Sequence, residues 1–92
     1  MNYIEDFLMK AHKDILANKL DVVNSTICGC IVCLETFSPT QISEWVIEPN
    51  KKDETAVCPK CKMDCVLSSK YPVTDKRFLL AMHNYFISDQ QF

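Results

Sequence analysis

Two Cys-x-x-Cys pairs constrain the fold more than any other feature of this sequence. Cys30 pairs with Cys33, and Cys58 pairs with Cys61 in a Cys-Pro-Lys-Cys run. Each pair can place two sulfurs on one tight turn, and the proline fixes a backbone torsion inside the second turn. Two such pairs complete the tetrahedral shell of four sulfurs that zinc prefers in structural sites. We therefore predict one structural metal ion, zinc rather than iron, held by these four cysteines.

A metal ion that links distant parts of the chain would be useful in a protein of this size. The chain has 92 residues, of which six are cysteines. A core of that size supplies only about 3–5 kcal/mol of net stability by itself. Residues 1–6 are acidic rather than basic, and no apolar run of signal-peptide length follows them. We therefore predict a cytoplasmic protein whose thiols stay reduced, which favours metal ligands over disulfides.

No membrane span is expected. The longest apolar run covers only residues 78–82. A helix that crosses a bilayer needs roughly 20 apolar residues. Membrane insertion is therefore not among the predicted functions.

Two cysteines remain outside the pairs. Cys28 precedes Cys30 by two positions, and Cys65 follows Cys61 by four. Either could replace a metal ligand, and the two could also form a disulfide with each other. The alternative is that both are spare thiols, because free cysteine is commonly a small buried apolar residue. The sequence favours spare thiols and leaves the other interpretations open.

The residue after each pair raises a conformational question. Tight turns of this kind often need a left-handed residue there, and glycine adopts that conformation without strain. Leu34 and Lys62 occupy the two positions. If either has a positive φ, we expect strain of about 1–3 kcal/mol, which the metal bonds would offset.

Hydrophobic periodicity predicts a helix at each end of the chain. Apolar residues recur every three or four positions over 2–19 and again over 75–87. Asn2 is the expected N-cap of the first helix, and Thr74 is the expected N-cap of the last.

Local signals in the middle of the chain predict a short helix and a β-hairpin. Ser38, Pro39 and Gln41 form a capping box that marks the start of a helix. Two apolar segments then flank a polar, turn-rich stretch. The predicted elements are a helix over 39–45, hairpin strands over 45–47 and 55–57, and a further strand at 66–67.

These elements together predict a small α+β protein. A zinc-ribbon-like (rubredoxin-like) metal centre with a short β-hairpin would occupy residues 28–67. The N- and C-terminal helices would flank it. We expect residues 1–92 to form a single metal-stapled domain.

No catalytic set accompanies the cysteines. A closed shell of four thiolates leaves no coordination position for water or substrate, so the metal is expected to be structural. His12 and His83 lie far apart in the sequence, and we expect both at the surface. The acidic residues show no paired arrangement. We therefore expect no enzyme activity and no small-molecule substrate.

A set of motifs spread over roughly residues 12–86 carries a further signal. The motifs are Cys28-Gly29-Cys30-Ile31-Val32-Cys33, Phe37-Ser38-Pro39, Ile42, Glu44-Trp45, Thr55-Ala56-Val57-Cys58-Pro59-Lys60-Cys61, Asp64, Val66, Tyr71-Pro72-Val73-Thr74, Phe78-Leu79, Met82-His83 and Phe86. With these motifs the chain resembles a family of small bacterial cytoplasmic proteins with a zinc-ribbon-like centre and no assigned function. The resemblance implies the metal site and the cytoplasmic location, and it implies no activity.

The expected function is protein binding by a non-enzymatic, zinc-stabilised module. The metal would fix a rigid surface, and the terminal helices would contact an unidentified protein partner. Tyr85 and Phe86 on the last helix are candidate contacts. Small size and acidity are also compatible with an inhibitor or an immunity-type protein.

Two alternatives stay open. A nucleic-acid-binding zinc ribbon could use Lys51, Lys52, Lys60 and Lys62, although the formal net charge of −2 disfavours it. A rubredoxin-like electron carrier would hold iron, because tetrahedral sulfur sites suit iron as well as zinc.

Overall fold

The computed structural model describes residues 3–87 as a small α+β protein with antiparallel strands. Its elements in chain order are α1 (Glu5–Lys13), α2 (Lys19–Val23), β1 (Cys28–Cys30), β2 (Thr36–Phe37), a 3-10 turn (Pro39–Gln41), β3 (Trp45–Ile47), β4 (Glu54–Ala56), β5 (Val66–Leu67), α3 (Lys76–Met82) and a π-helical turn (His83–Ile87). The predicted small α+β class is confirmed. Among residues 3–87, no helix has the length and apolar character needed to cross a membrane.

The N-terminal helix is shorter than predicted, and a second helix follows it. Helices α1 and α2 are separate elements. The chain turns between them, and Ala17 has a φ of 51°. The prediction of one helix over 2–19 is therefore wrong beyond α1. Its expected cap, Asn2, lies outside the described residues.

Tertiary hydrogen bonds explain this break. The backbone N–H of Ala17 donates to Oγ1 of Thr55 at 2.7 Å rather than to a carbonyl of α1. Asn18 is buried, and its side-chain amide donates to the carbonyl of Val66 at 2.7 Å. The same side chain accepts from the backbone N–H of Ala56 at 3.4 Å. Asn18 thus links β4 to β5, a role that local periodicity cannot indicate.

Strand β1 is the centre of a three-stranded antiparallel sheet in the order β2-β1-β5. Cys28 pairs with Phe37 on one side, and Cys30 pairs with Val66 on the other. The prediction of a strand at 66–67 is confirmed. A Cys-Gly-Cys segment has no β-branched or aromatic residue, so the sequence does not predict β1.

The predicted β-hairpin is confirmed, and its second strand begins one residue earlier than predicted. Strands β3 and β4 form a two-stranded antiparallel sheet. Trp45 lies opposite Ala56, Val46 opposite Thr55, and Ile47 opposite Glu54.

The capping box is also confirmed, but the helix it starts is short. Oγ of Ser38 accepts from the N–H of Thr40 at 3.2 Å. Oε1 of Gln41 accepts from the N–H of Ser38 at 3.1 Å. The 3-10 turn ends at Gln41, so the predicted helix over 39–45 is too long and Trp45 begins a strand instead.

The C-terminal helix forms as predicted, with a different cap. Helix α3 and the π-helical turn cover 76–87 without a gap. Oδ1 of Asp75 accepts from the N–H of Arg77 at 3.0 Å. Asp75 therefore caps α3, and the prediction that Thr74 does so is wrong. The hydroxyl of Tyr3 also donates to Oδ2 of Asp75 at 2.6 Å, which ties the start of the described chain to α3.

Two clusters of buried side chains form the interior. The first lies between the terminal helices and the three-stranded sheet, and it includes Leu8, Ala11, Ile15, Ile31, Leu67, Tyr71, Val73, Phe78, Leu79 and Met82. The second surrounds the paired cysteines and includes Val22, Cys28, Cys30, Phe37, Ile42, Ala56, Cys58 and Val66. Successive residues of a strand point to opposite faces, so β5 contributes Leu67 to the first cluster and Val66 to the second.

Candidate metal centre

The structure brings the four predicted ligands together. The sulfurs of Cys30, Cys33, Cys58 and Cys61 all lie within 4.8 Å of one another. The Sγ atoms of Cys30 and Cys61 are 3.6 Å apart, and those of Cys33 and Cys58 are 3.8 Å apart. Four Zn–S bonds of about 2.3 Å in a tetrahedron space the sulfurs by about 3.8 Å. The cluster therefore fits a metal ion such as zinc.

The first two ligands lie on a tight turn, which we call the first cysteine turn (residues 30–35). The backbone N–H of Cys30 donates to the carbonyl of Glu35 at 3.0 Å, and the N–H of Leu34 donates to the carbonyl of Cys30 at 3.0 Å. The N–H of Val32 points to the sulfur of Cys30 at 3.4 Å. The backbone thus wraps around the sulfur of Cys30.

The second cysteine turn (residues 58–63) repeats this pattern. The N–H of Cys58 donates to the carbonyl of Met63 at 2.8 Å, and the N–H of Lys62 donates to the carbonyl of Cys58 at 3.0 Å. The N–H of Lys60 points to the sulfur of Cys58 at 3.4 Å. Two matching turns that face each other present four sulfurs to a common centre.

The residue after each cysteine pair adopts the left-handed conformation that usually favours glycine. Leu34 has a φ of 64° and Lys62 a φ of 69°, so both occupy the left-handed region. For residues with a side chain this conformation costs about 1–3 kcal/mol each. Leu34 and Lys62 occupy equivalent positions in the two turns, although their side chains differ in chemistry. The geometry of the turn, rather than the residue type, therefore sets the left-handed conformation.

Burial distinguishes the ligands. Cys30 and Cys58 are buried, whereas Cys33 and Cys61 are half-buried. Burial raises the pKa of Cys30 far above its ordinary value. Burial also acts to raise the pKa of Cys58, but backbone N–H groups of Cys61 and Lys60 donate to its sulfur and the net effect lowers that pKa. A cation among the sulfurs would supply the charge that keeps all four ionised.

Cys28 and Cys65 lie outside this cluster. Cys28 is fully buried beside the centre, and Cys65 is half-buried between the two clusters of buried side chains. The N–H of Ile31 donates to the carbonyl of Cys65 at 3.1 Å, which places Cys65 beside residue 31, three positions along the chain from Cys28. Both cysteines are free thiols, so the alternative of a disulfide between them is wrong. Burial raises the pKa of each to about 11, as expected for unreactive thiols.

Side chains of α3 and the π-helical turn hold the first cysteine turn in place. Nζ of Lys76 donates to the carbonyl of Leu34 at 2.6 Å. Nδ1 of His83 lies 2.9 Å from the carbonyl oxygen of Ile31. A carbonyl oxygen only accepts, so Nδ1 carries the hydrogen. Within residues 3–87, no side chain braces the carbonyls of the second cysteine turn in this way.

Sequence reasoning missed this role of His83. The prediction that it is a surface histidine is wrong, because the ring is half-buried against the first cysteine turn. His12 is exposed as predicted, and its ring stacks on Phe86 with centroids 4.0 Å apart. No local pattern separates the two histidines, because only the packing of the last helix on the metal centre distinguishes them.

The predicted contact residues already have neighbours within the chain. Phe86 stacks on His12, and the hydroxyl of Tyr85 hydrogen-bonds Glu5. Both aromatic residues therefore help to hold the π-helical turn against α1.

The lysines of the nucleic-acid-binding alternative are partly neutralised. Nζ of Lys62 pairs with Glu44 at 3.5 Å. Lys51 and Lys52 are exposed in the turn of the hairpin, and Lys60 is exposed in the second cysteine turn. These side chains interleave with acidic residues rather than forming a continuous basic stripe.

Comparison with known proteins assigns no family to this geometry. No family model matches the chain, and the searches of curated proteins and of solved structures find no similar protein. The metal centre is therefore interpreted from its own geometry, and the family resemblance stays a prediction.

Proposed function

We propose that this protein is a zinc-stabilised, non-enzymatic module that binds another protein. The observation that carries the proposal is the convergence of four cysteine sulfurs within 4.8 Å of one another. Structural zinc contributes directly to folding free energy and fixes the surfaces built around it. In a chain of 92 residues, such an ion replaces part of the core that a larger domain would have.

The composition of the site supports a structural rather than a catalytic ion. Catalytic zinc keeps one position for water or substrate, whereas four cysteine ligands close the shell. The cluster contains no histidine or carboxylate among the described residues. The proposal therefore assigns the activity of this protein to its surface.

The exposed side chains favour a protein partner over nucleic acid. Leu20 in α2 and Val46 and Ile47 in β3 face solvent. Apolar contacts of this kind anchor protein interfaces, whereas nucleic acid requires a basic surface. An inhibitor or immunity-type protein is one form that such a module takes.

The test combines metal analysis with affinity capture by the metal-loaded full chain. We expect one zinc per chain, no visible absorption, and a specific protein recovered by the wild type. Cys58→Ser should lose both the metal and the captured protein, because the second cysteine turn cannot close without its ligand. Cys65→Ala is the matched control and should keep both.

Three results would contradict the proposal. A coloured protein with one iron would support the electron carrier instead. Recovery of nucleic acid in place of protein would support the nucleic-acid-binding ribbon. Failure to recover any specific protein would contradict the proposal that this protein binds a protein partner.

A further inference from the structure

The two edges of the β3–β4 hairpin differ. The α1–α2 connection covers the edge of β4 with hydrogen bonds. The N–H of Ala56 donates to Oδ1 of Asn18 at 3.4 Å, and Oγ1 of Thr55 accepts from the N–H of Ala17 at 2.7 Å. Thr55 and Ala56 are fully buried as a result. This edge cannot accept another strand.

The edge of β3 is open. The N–H of Val57 donates to the carbonyl of Glu44 at 3.1 Å, so this opposed pair is a hydrogen-bonded one. Antiparallel pairs alternate, so the backbone groups of Val46 face β4 and those of Trp45 and Ile47 face outward. Within the described part of the chain, no other element hydrogen-bonds to these outward groups. An edge of this kind is a template for pairing with another strand.

The side chains along this edge are apolar and exposed. Ile47 is 77% exposed, more than any other large apolar side chain of the described residues, and Val46 is 39% exposed. Trp45 shares a face of the strand with Ile47. Trp45 also lines an open groove of about 290 Å3 with Lys19, Val23, Pro39, Thr40 and Ile42. The strand thus offers apolar contacts on both faces.

Acidic residues flank the strand. Glu44 and Glu48 lie on the same face as Val46, one at each end. Glu44 forms an exposed ion pair with Lys62, and such a pair contributes little. Glu48 has no ion pair among residues 3–87. A strand laid along this edge would therefore meet negative charge at its ends.

We propose that β3 binds an extended segment of a partner protein as an added third strand, and that this segment has three consecutive apolar residues flanked by lysine or arginine. The apolar residues pair with Trp45, Val46 and Ile47, and the basic residues lie opposite Glu44 and Glu48. Cross-strand pairs of opposite charge stabilise a sheet, and strand addition supplies backbone hydrogen bonds for affinity. This inference rests on the proposed function and names the binding surface.

The same charges disfavour a second copy of this chain as the occupant. The outward backbone groups of Trp45 and Ile47 could pair with those of another copy about a two-fold axis at Val46. That register places Glu44 of one copy directly opposite Glu48 of the other. Like charges directly opposite each other are destabilising.

The test uses a capped peptide with the core Lys-Ile-Val-Ile-Lys and a matched peptide with the core Glu-Ile-Val-Ile-Glu. Trp45 is the only tryptophan, so its fluorescence reports on this strand directly. We expect the lysine peptide to shift the emission of the metal-loaded protein in a saturable titration. We expect the glutamate peptide to bind about tenfold more weakly, because both end pairs change from attractive to repulsive.

Two variants of the edge and one control make the test specific. Ile47→Pro removes an outward N–H but no hydrogen bond between β3 and β4. Ile47→Lys adds a positive charge at an exposed position. Both should retain the metal and lose saturable peptide binding. Ile4→Ser changes another highly exposed apolar residue at the start of α1, and it should bind like the wild type. Ile47→Lys remains informative if the proline variant does not fold.

Several outcomes would overturn the inference. These are absence of saturable binding by the lysine peptide, equal affinity for both peptides, and unchanged binding by a folded Ile47→Lys variant. Formation of a wild-type dimer that Ile47→Lys abolishes would make the occupant a second copy. If affinity capture recovers the same protein with wild type and Ile47→Lys, the binding module stands and only this edge is excluded.

Discussion

Nδ1 of His83 donates a hydrogen bond to the carbonyl oxygen of Ile31 at 2.9 Å. Ile31 lies between Cys30 and Cys33, the first two candidate ligands, and His83 begins the π-helical turn that follows α3. The C-terminal helical segment therefore holds the backbone that aims these sulfurs. Lys76 adds a second contact from the same segment, to the carbonyl of Leu34 at 2.6 Å.

Loss of the His83 contact should destabilise the metal-loaded protein. His83→Ala leaves the carbonyl of Ile31 without its partner, and an unsatisfied group costs about 1–3 kcal/mol. Urea denaturation of the zinc form should show this loss. Asn84→Ala, at the exposed neighbouring position, is the control and should unfold like the wild type. Equal unfolding of His83→Ala and wild type would show that the contact contributes nothing.

Lys62→Gly should stabilise the metal-loaded protein by about 1 kcal/mol, because glycine adopts the left-handed conformation without the steric cost of a side chain. Leu34→Gly should not, because the side chain of Leu34 packs against the first cluster of buried residues. The midpoint of thermal unfolding, measured with excess zinc, separates the two. A lower midpoint for Lys62→Gly would mean that its side chain matters more than its backbone strain.

Metal removal should unfold the centre of the molecule. A strong chelator should abolish the near-ultraviolet circular dichroism, and returning zinc should restore it, because metal binding and folding are coupled. Cys58→Ser should bind less than one zinc per chain even with excess metal. Cys28→Ala should bind a full equivalent, since its sulfur lies outside the cluster. Equal metal loss in the two variants would refute the ligand assignment.

Stability should fall at alkaline pH through Tyr71. Burial and the hydrogen-bonded carboxylate of Asp14 raise the pKa of Tyr71 well above its ordinary value of 10.0. The contribution of the neutral phenol is complete below the unfolded pKa and is lost as pH rises through the folded pKa. Tyr71→Phe should therefore lose less stability than the wild type as pH rises above about 10. An equally steep loss in urea denaturation would point to another group, such as Tyr3, whose pKa is also raised.

Gly29→Ala should destabilise the sheet. A Cβ at this position would lie 2.9 Å from Cβ of Val73 and 3.2 Å from Cδ2 of Leu79. Overpacking of this kind costs about 1–3 kcal/mol. Because the contact involves Cβ of Val73, truncation of that side chain in the double variant Gly29→Ala/Val73→Ala should not rescue stability. Rescue would show that the contact with Cγ1 of Val73 at 3.3 Å, rather than the contact with its Cβ, causes the loss of stability.

Sequence patterns predicted the parts of this molecule that depend on local chemistry. The spacing of four cysteines indicated the metal centre, and the side chains of Ser38 and Gln41 marked the start of the 3-10 turn. The sequence does not indicate where that turn ends, because the pairing of Trp45 with Ala56 ends the helical segment. Local rules favour the helix, and the hairpin overrides them.

The features that the sequence could not reveal depend on contacts between distant residues. Ala17 leaves the helical conformation because its N–H bonds Thr55, which lies 38 positions away. His83 reaches Ile31 across 52 positions, and nothing near it in the sequence marks that role. Such contacts become predictable only once the packing of α3 on the cysteine turns is known.

The central position of β1 has a consequence for synthesis of the protein on the ribosome. Cys30 needs Val66 as its sheet neighbour and Cys61 to help complete its sulfur shell. The emerging chain therefore cannot assemble its centre until residues through Leu67 have left the exit tunnel. Until then the cysteine sulfurs that have already emerged lack their full set of partners, so the four-sulfur cluster can form only late in synthesis.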